Sequence, residues 1–266
     1  MNRQTLISEI RSKKNFLCIG LDPDIQKLPS HLPKNVEGVK EFCSQIISQT
    51  LEYCVSYKLN TAFFEALGWE GMKIYEELVA MIPPSHFIIA DAKRGDIGNT
   101  STQYAKAFFE VMNCDAITIA PYMGSDSVMP FLHYQDKWSI VLGLTSNEGA
   151  QDFELYKIGE QYLFEHVLKT CSSWGSEENM MFVIGATQFP YFKAIRAIIP
   201  QHFLLIPGVG AQGGSLEDVC KELINEDIGV LVNLSREIIY ASSDKDFAEK
   251  AREKAQKINQ EMAIYL

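Results

Sequence analysis

The chain is short of the features that would place it in a membrane or on nucleic acid. No apolar run in its 266 residues approaches the ~18 residues of a membrane helix. Met1–Lys14 is polar and has no apolar core of the kind a signal peptide needs. Positive charge is in deficit, with 24 Lys and Arg against 34 Asp and Glu and a formal net charge of −10. That balance argues against nucleic acid or an anionic membrane as the main partner. It leaves room for a phosphorylated small molecule in a pocket of locally opposite sign. The six cysteines, Cys18, Cys43, Cys54, Cys114, Cys171 and Cys220, show neither a CxxC pair nor metal-ligand spacing. They read as buried, reduced thiols. His31, His86, His133, His166 and His202 also lack metal spacing, so they are taken as structural or exposed. No linker, charge block or low-complexity tract divides the chain, and residues 1–266 are expected to form one domain of a soluble cytoplasmic protein.

What is present is a rhythm of short apolar runs rich in β-branched residues, alternating with longer amphipathic stretches. The candidate strands are Phe16–Gly20, Tyr57–Asn60, His86–Ala90, Ala116–Ala120, Ser139–Leu144, Met181–Ile184, Phe203–Ile206 and Gly229–Asn233. Helix-like segments lie between them, such as Val36–Val55, Gly71–Met81, Thr100–Met112, Gly159–Ser172 and Tyr191–Ile199, and a last one near Asp244–Ala263 follows the eighth strand. Strand then helix, repeated eight times, predicts an α/β fold, a closed parallel (β/α)8 TIM barrel. An open doubly wound sheet is the alternative, because such runs do not by themselves demand closure.

Catalytic groups on a barrel sit at the C-terminal ends of its strands. There the chain carries Gly20-Leu21-Asp22-Pro23-Asp24, Lys58, Asp91-Ala92-Lys93, Thr145-Ser146-Asn147, a glycine-rich turn from Gly208 to Gly214, and Ser235-Arg236. Asp91 and Lys93 are two apart, so an extended strand would aim both into one site. Asp96 follows at the start of a loop or helix. Carboxylates bracketing an ammonium at the end of an apolar strand are costly to desolvate without a purpose. A structural ion-pair cluster is the plainer explanation. Lys58, between Tyr57 and Leu59, needs a carboxylate partner in Asp22 or Asp91, unless it merely snorkels from a strand end.

Gly208, Gly210 and Gly213 read as a nest of backbone donors leading into a helix over Ser215–Asn225, or as plain turn residues. Their place after the seventh strand favours phosphate, and Arg236 after the eighth offers a planar fork to the same group. Thr145-Ser146-Asn147 has donors suited to the edge of a heterocyclic base, or is an ordinary turn.

The run Asp91-Ala92-Lys93-Arg94-Gly95-Asp96-Ile97-Gly98-Asn99-Thr100 resembles the orotidine 5′-phosphate decarboxylase family, in particular its longer bacterial subgroup. The strand-end segments quoted above fit the same family in the same order, as does Asn60-Thr61-Ala62-Phe63-Phe64-Glu65 after Lys58. The resemblance implies decarboxylation of orotidine 5′-phosphate to UMP in pyrimidine biosynthesis, with no metal and no organic cofactor. It implies a homodimer with shared active sites and a charged network of Lys58, Asp91, Lys93 and Asp96. In that network Lys93 would protonate C6 of the pyrimidine and Asp91 would lie beside the substrate carboxylate. Asp96 and Thr100 would reach the neighbouring subunit's site near the ribose 2′-hydroxyl. Asp22 and Lys58 would contact the ribose, Ser146 the base, and Gln212 and Arg236 the phosphate. Glu148 after the Ser-Asn pair and Glu237 after Arg236 depart from the family pattern.

Two rivals remain at this stage. A metal-dependent phosphosugar decarboxylase or aldolase on a related barrel carries, by resemblance, an acid where this chain has Lys58. A lysine there disfavours a divalent cation. Outside the enzymes stands a phosphate-ligand binding protein, or a degenerate barrel kept as an interaction module.

Overall fold

A computed structural model describes residues 1–210 and 213–266. The apolar runs become β1 (Leu17–Leu21), β2 (Ser56–Asn60), β3 (Phe87–Arg94), β4 (Ala116–Ile119), β5 (Trp138–Leu144), β8 (Met180–Ile184), β9 (Phe203–Pro207) and β10 (Val230–Leu234). They close in the order β1-β10-β9-β8-β5-β4-β3-β2. All neighbours run parallel, and β1 pairs with both β2 and β10, so the sheet has no edge and the open-sheet alternative falls. The remaining strands, β6 (Lys157–Ile158) and β7 (Gln161–Tyr162), form a small antiparallel hairpin after β5. Every residue of β1, β8 and β10 is buried, as continuous apolar runs require when both faces of a parallel sheet are covered.

The outer layer comprises α2 (Val36–Thr50), α3 (Thr61–Glu65), α4 (Gly68–Met81), α5 (Gly98–Lys106), α6 (Ser125–Leu132), α7 (Leu163–Ser172), α8 (Phe192–Ile198), α9 (Leu216–Leu223), α10 (Arg236–Ile239) and α11 (Phe247–Met262). In α2 the side chain of Asn35 accepts the Gly38 N–H at 3.0 Å, satisfying an otherwise orphaned donor. Val39, Phe42, Cys43, Ile46 and Ile47 then form its buried stripe. The helix expected from Gly159 starts only at Leu163, because the hairpin takes the residues before it. A π-helical turn at Ala107–Val111 continues α5. α6 carries Pro130 in its interior and has no counterpart among the segments read as helices above. No helix among the described residues is long and apolar enough to cross a membrane.

The polar N-terminal stretch folds as α1 (Arg3–Lys13), burying Leu6, Ile7 and Ile10. Arg3 beside them is almost fully buried. Its guanidinium donates to the carbonyls of Glu177 and Gln201, each at 2.7 Å, and lies 3.1 Å from Asp227. These residues precede β8, β9 and β10, so α1 ties down the end of the barrel opposite the strand tips. Arg196 of α8 works at the same end. It donates to the carbonyls of Ile199, His202, Leu223 and Gly229 at 2.7–3.1 Å.

Candidate active site

A cavity of about 360 Å³ opens at the C-terminal ends of the strands. Lys58, Asp91, Thr118, Leu142, Val183, Leu205 and Asn233 line it, one residue from each of seven barrel strands. Around them stand Asp22, Lys93, Thr145, Ser146, Asn147, Gly208, Ser235, Arg236 and Glu237.

The charged residues form a string. Lys58 Nζ lies 2.7 Å from Asp91 Oδ2 and 3.6 Å from Asp22 Oδ1. Lys93 Nζ lies 2.6 Å from Asp91 Oδ1. Burial alone would favour neutral Lys58, but Asp22 and Asp91 outweigh it and hold the ammonium above its ordinary range. Burial likewise pushes the Asp91 carboxyl up, and Lys58 and Lys93 together drive it well below the usual carboxylate range. Asp91 is therefore ionised at any working pH, with each oxygen facing its own ammonium.

Asp91 and Lys93 meet, though not by simple strand alternation. Between the pairs Ala90↔Ile117 and Arg94↔Ile119 the register shifts, so Asp91, Ala92 and Lys93 stand opposite Thr118 alone. This is a bulge, which bends a strand and re-aims its side chains. Lys93 takes a left-handed backbone with φ of 47°, a strained state for a residue with a Cβ. Its N–H is donated to Thr118 Oγ1 at 2.9 Å. The Thr118 hydroxyl in turn donates to Asp91 Oδ1 at 3.0 Å.

The Thr145-Ser146-Asn147 turn is clamped from two sides. Glu154 accepts from the Thr145 N–H at 2.6 Å and from its hydroxyl at 2.9 Å, while Gln188 donates to the Thr145 carbonyl at 2.6 Å. Gly185 lets the turn pack against the end of β8, since a Cβ there would stand 2.7 Å from Ser146 N. At the first strand, the Tyr240 hydroxyl accepts the Asp24 N–H at 2.7 Å and fixes the segment that carries Asp22.

The glycine turn closes on itself. The N–H groups of Gly210, Gly213 and Gly214 are donated to the carbonyls of Gly214, Gly210 and Gly208 at 2.8–3.1 Å. The expected nest of free donors is thus spent inside the turn at these positions. Positive φ at Gly208, Gly210 and Gly213 is what the tight path demands. Gln212, assigned to the phosphate from sequence, lies outside the described residues. Arg236 stands at the rim, exposed. Glu237 beside it is held by Lys254 at 2.6 Å.

Asp96 and Thr100 stay outside this cavity. Asp96 Oδ1 accepts the neighbouring Ile97 N–H at 2.7 Å, and Thr100 is exposed on α5. Two buried acceptors that sequence reasoning did not single out by role, Asn233 Oδ1 and Ser235 Oγ, have no partner among the described residues. Buried polar atoms without partners are rare enough to suggest a ligand surface. Thr118, Glu154, Gln188 and Tyr240 were also missed. Only Thr118 left a trace, as a hydroxyl between Ile117 and Ile119 in an otherwise apolar strand.

A family model described as "Orotidine 5'-phosphate decarboxylase / HUMPS family" matches residues 15–251. The orotidine 5′-phosphate decarboxylase of Phocaeicola vulgatus is 52% identical over 266 residues, covering 98% of each chain. The solved OMP decarboxylase of Leishmania donovani superposes with a TM-score of 0.83 at 36% identity, covering 98% of this chain and all of that one (100%). The UMP synthase of the same organism also matches, with a TM-score of 0.83 and 38% identity. There the match covers 96% of this chain but only 56% of the longer one.

Proposed function

The chain belongs to the orotidine 5′-phosphate decarboxylase / HUMPS family and is a decarboxylase, and from that premise we propose how its residues act on orotidine 5′-phosphate. The observation that carries the reading is Asp91, one ionised carboxylate held between the ammonium groups of Lys58 and Lys93 at 2.7 and 2.6 Å.

The substrate's C6–carboxylate bond breaks heterolytically. CO2 leaves, the electron pair stays on C6, and the Lys93 ammonium gives up one proton to form the new C6–H bond of UMP. Solvent then reprotonates Lys93. Before bond cleavage the substrate carboxylate sits beside Asp91 and is repelled by it, whereas the developing carbanion faces the Lys93 ammonium. Charge is placed in advance where it is needed in the transition state. No single ion pair supplies the ~20 kcal/mol asked of a demanding reaction, so binding at the distant phosphate contributes by holding the reacting end in place. Arg236 at the rim takes the phosphate, with Gln212; the glycine turn shapes the rim there, since the N–H groups of Gly210, Gly213 and Gly214 are bonded within it. Asp22 and Lys58 take the ribose, and Ser146, in its clamped turn, reads the base.

The chemistry uses no metal. Lys58 already places a cation between Asp22 and Asp91, where a divalent ion would otherwise balance two carboxylates. Loss of absorbance as orotidine 5′-phosphate is converted tests the reading directly. Turnover should survive dialysis against a strong chelator, and activity restored only by magnesium would overturn the metal-free assignment.

Each site is completed by a second copy of the chain. Asp96 and Thr100 do not line their own cavity, and Gly95 packs against Ala120. Ile97, and Tyr122 and Met123 in the turn after Ala120, are 54%, 88% and 52% exposed. A twofold dimer through this face makes the two contributions reciprocal. Lys93→Ala and Asp96→Ala, inactive alone, should then recover about a quarter of the sites when refolded together, since half the dimers are hybrids with one intact site. Hybrids that form and stay inactive would return Asp96 to its own barrel.

A further inference from the structure

We propose that Thr118 is a positioning residue for the protonation step, its hydroxyl locking the backbone of Lys93 and one oxygen of Asp91 into a single relation. The inference rests on Lys93 being the proton donor.

A hydroxyl has one proton to give and lone pairs to receive, and Thr118 uses both. It accepts the Lys93 N–H at 2.9 Å and donates to Asp91 Oδ1 at 3.0 Å. Asp91 Oδ1 also receives Lys93 Nζ at 2.6 Å. The path from the Lys93 amide to the Thr118 hydroxyl, to Asp91 Oδ1 and back to Lys93 Nζ is therefore a closed ring. Both ends of the lysine are referred to one carboxylate oxygen.

The ring meets a specific need. The β3 bulge gives Lys93 a left-handed backbone, and its N–H bonds to a side chain instead of joining the strand ladder. Without the hydroxyl that donor would lose its partner. The lysine side chain is itself 51% exposed, on a flexible stem with several rotatable bonds, so packing alone does not fix its ammonium. Thr118 is the rigid element. It is 1% exposed, sits between fully buried Ile117 and Ile119, and its β-branched side chain has few rotamers. It lines the same cavity as Asp91 and Lys93. Its effect is on how well the donor is aimed, more than on whether substrate binds.

The test compares Thr118→Val, which removes the hydroxyl at nearly constant shape, with Thr118→Ser, which keeps it. On orotidine 5′-phosphate, Thr118→Val should lower kcat by about 10–100-fold, the scale of losing a supporting hydrogen bond, while KM moves less than about threefold. Thr118→Ser should stay within about threefold of wild type in both. If the valine variant folds poorly, Thr118→Ala carries the same contrast without adding bulk. Val and Ala variants with near wild-type kcat would overturn the inference. So would a serine variant as impaired as valine, or a loss confined to KM. Turnover surviving Lys93→Ala would overturn the donor assignment and this inference with it. An inactive Lys93→Ala beside an unaffected Thr118→Val would overturn this inference alone.

Discussion

At the N-terminal end of the barrel, Arg196 is held by backbone carbonyls, and Arg3 by two carbonyls and the Asp227 carboxylate. At the C-terminal end, Lys58 is held by the carboxylates of Asp22 and Asp91, and Lys93 by that of Asp91. Both ends bury cations, yet the chemistry differs. A guanidinium fork bonded to several neutral carbonyls ties loops together and has little left to offer a ligand. Burial lowers the Arg196 pKa to about 10, with Arg3 adding to the effect, so it stays charged at neutral pH. At the other end one carboxylate serves two ammonium groups, and Lys93, half exposed, still has protons to direct elsewhere. One end spends its charge on order, and the other keeps it available for a substrate.

The sharpest way to break this contrast is to remove one cation from each end. Lys93→Ala should lower kcat by more than about 10³-fold, over ~4 kcal/mol in barrier, with the thermal midpoint shifted by no more than a few degrees. Arg196→Met should do the reverse. Unfolding free energy in a denaturant titration should drop by about 3–5 kcal/mol as buried carbonyls lose their donor, while folded enzyme keeps its kcat. A stable but inactive Arg196→Met would show that the two ends are not separate.

A smaller effect sharpens the upper end. Arg236→Ala should weaken substrate binding by roughly 2–5 kcal/mol if bound phosphate buries the charge-assisted contact, and the nucleoside without phosphate should be almost indifferent to it. Equal losses on both would move the arginine out of the phosphate site.

The smallest effect belongs to the lower end. Burial pulls the His202 imidazole down to about 4, with Glu177 opposing and Arg3 and Arg196 assisting, and neither ring nitrogen has a partner among the described residues. Between pH ~4 and ~6.5 the unfolded chain binds a proton that the folded one refuses, so stability rises with pH across that window. Acidification from pH 7 to 4.5 should cost about 1–2 kcal/mol through this group, after allowing for solvent screening. His202→Gln should flatten that part of the curve, leaving a remainder from His86, which burial also holds below its usual value.

Periodicity located the eight barrel strands to within a residue, apart from the extension of β3 to Arg94, because apolar runs record burial directly. The strand-end charges were equally plain, since an ion inside an apolar run is a local anomaly. Long-range pairings left no such mark. Glu154 clamps Thr145 from a loop, and Arg3 reaches residues 174 to 224 positions away, with nothing in their neighbours to announce it. The β3 bulge was hidden for another reason. Lys93 was rightly placed beside Asp91, but from an alternation that the backbone does not follow.

The six thiols give the barrel a built-in clock. All are buried, and burial pushes Cys18, Cys54, Cys114, Cys171 and Cys220 up to about 12, which leaves almost no thiolate to react at neutral pH. A disulfide reagent added to the native enzyme must wait for the structure to open. The time course of its colour is then a record of opening events, local and global. Cys18, inside β1, should be among the last to report, and the order in which the six appear would map where the barrel first comes apart.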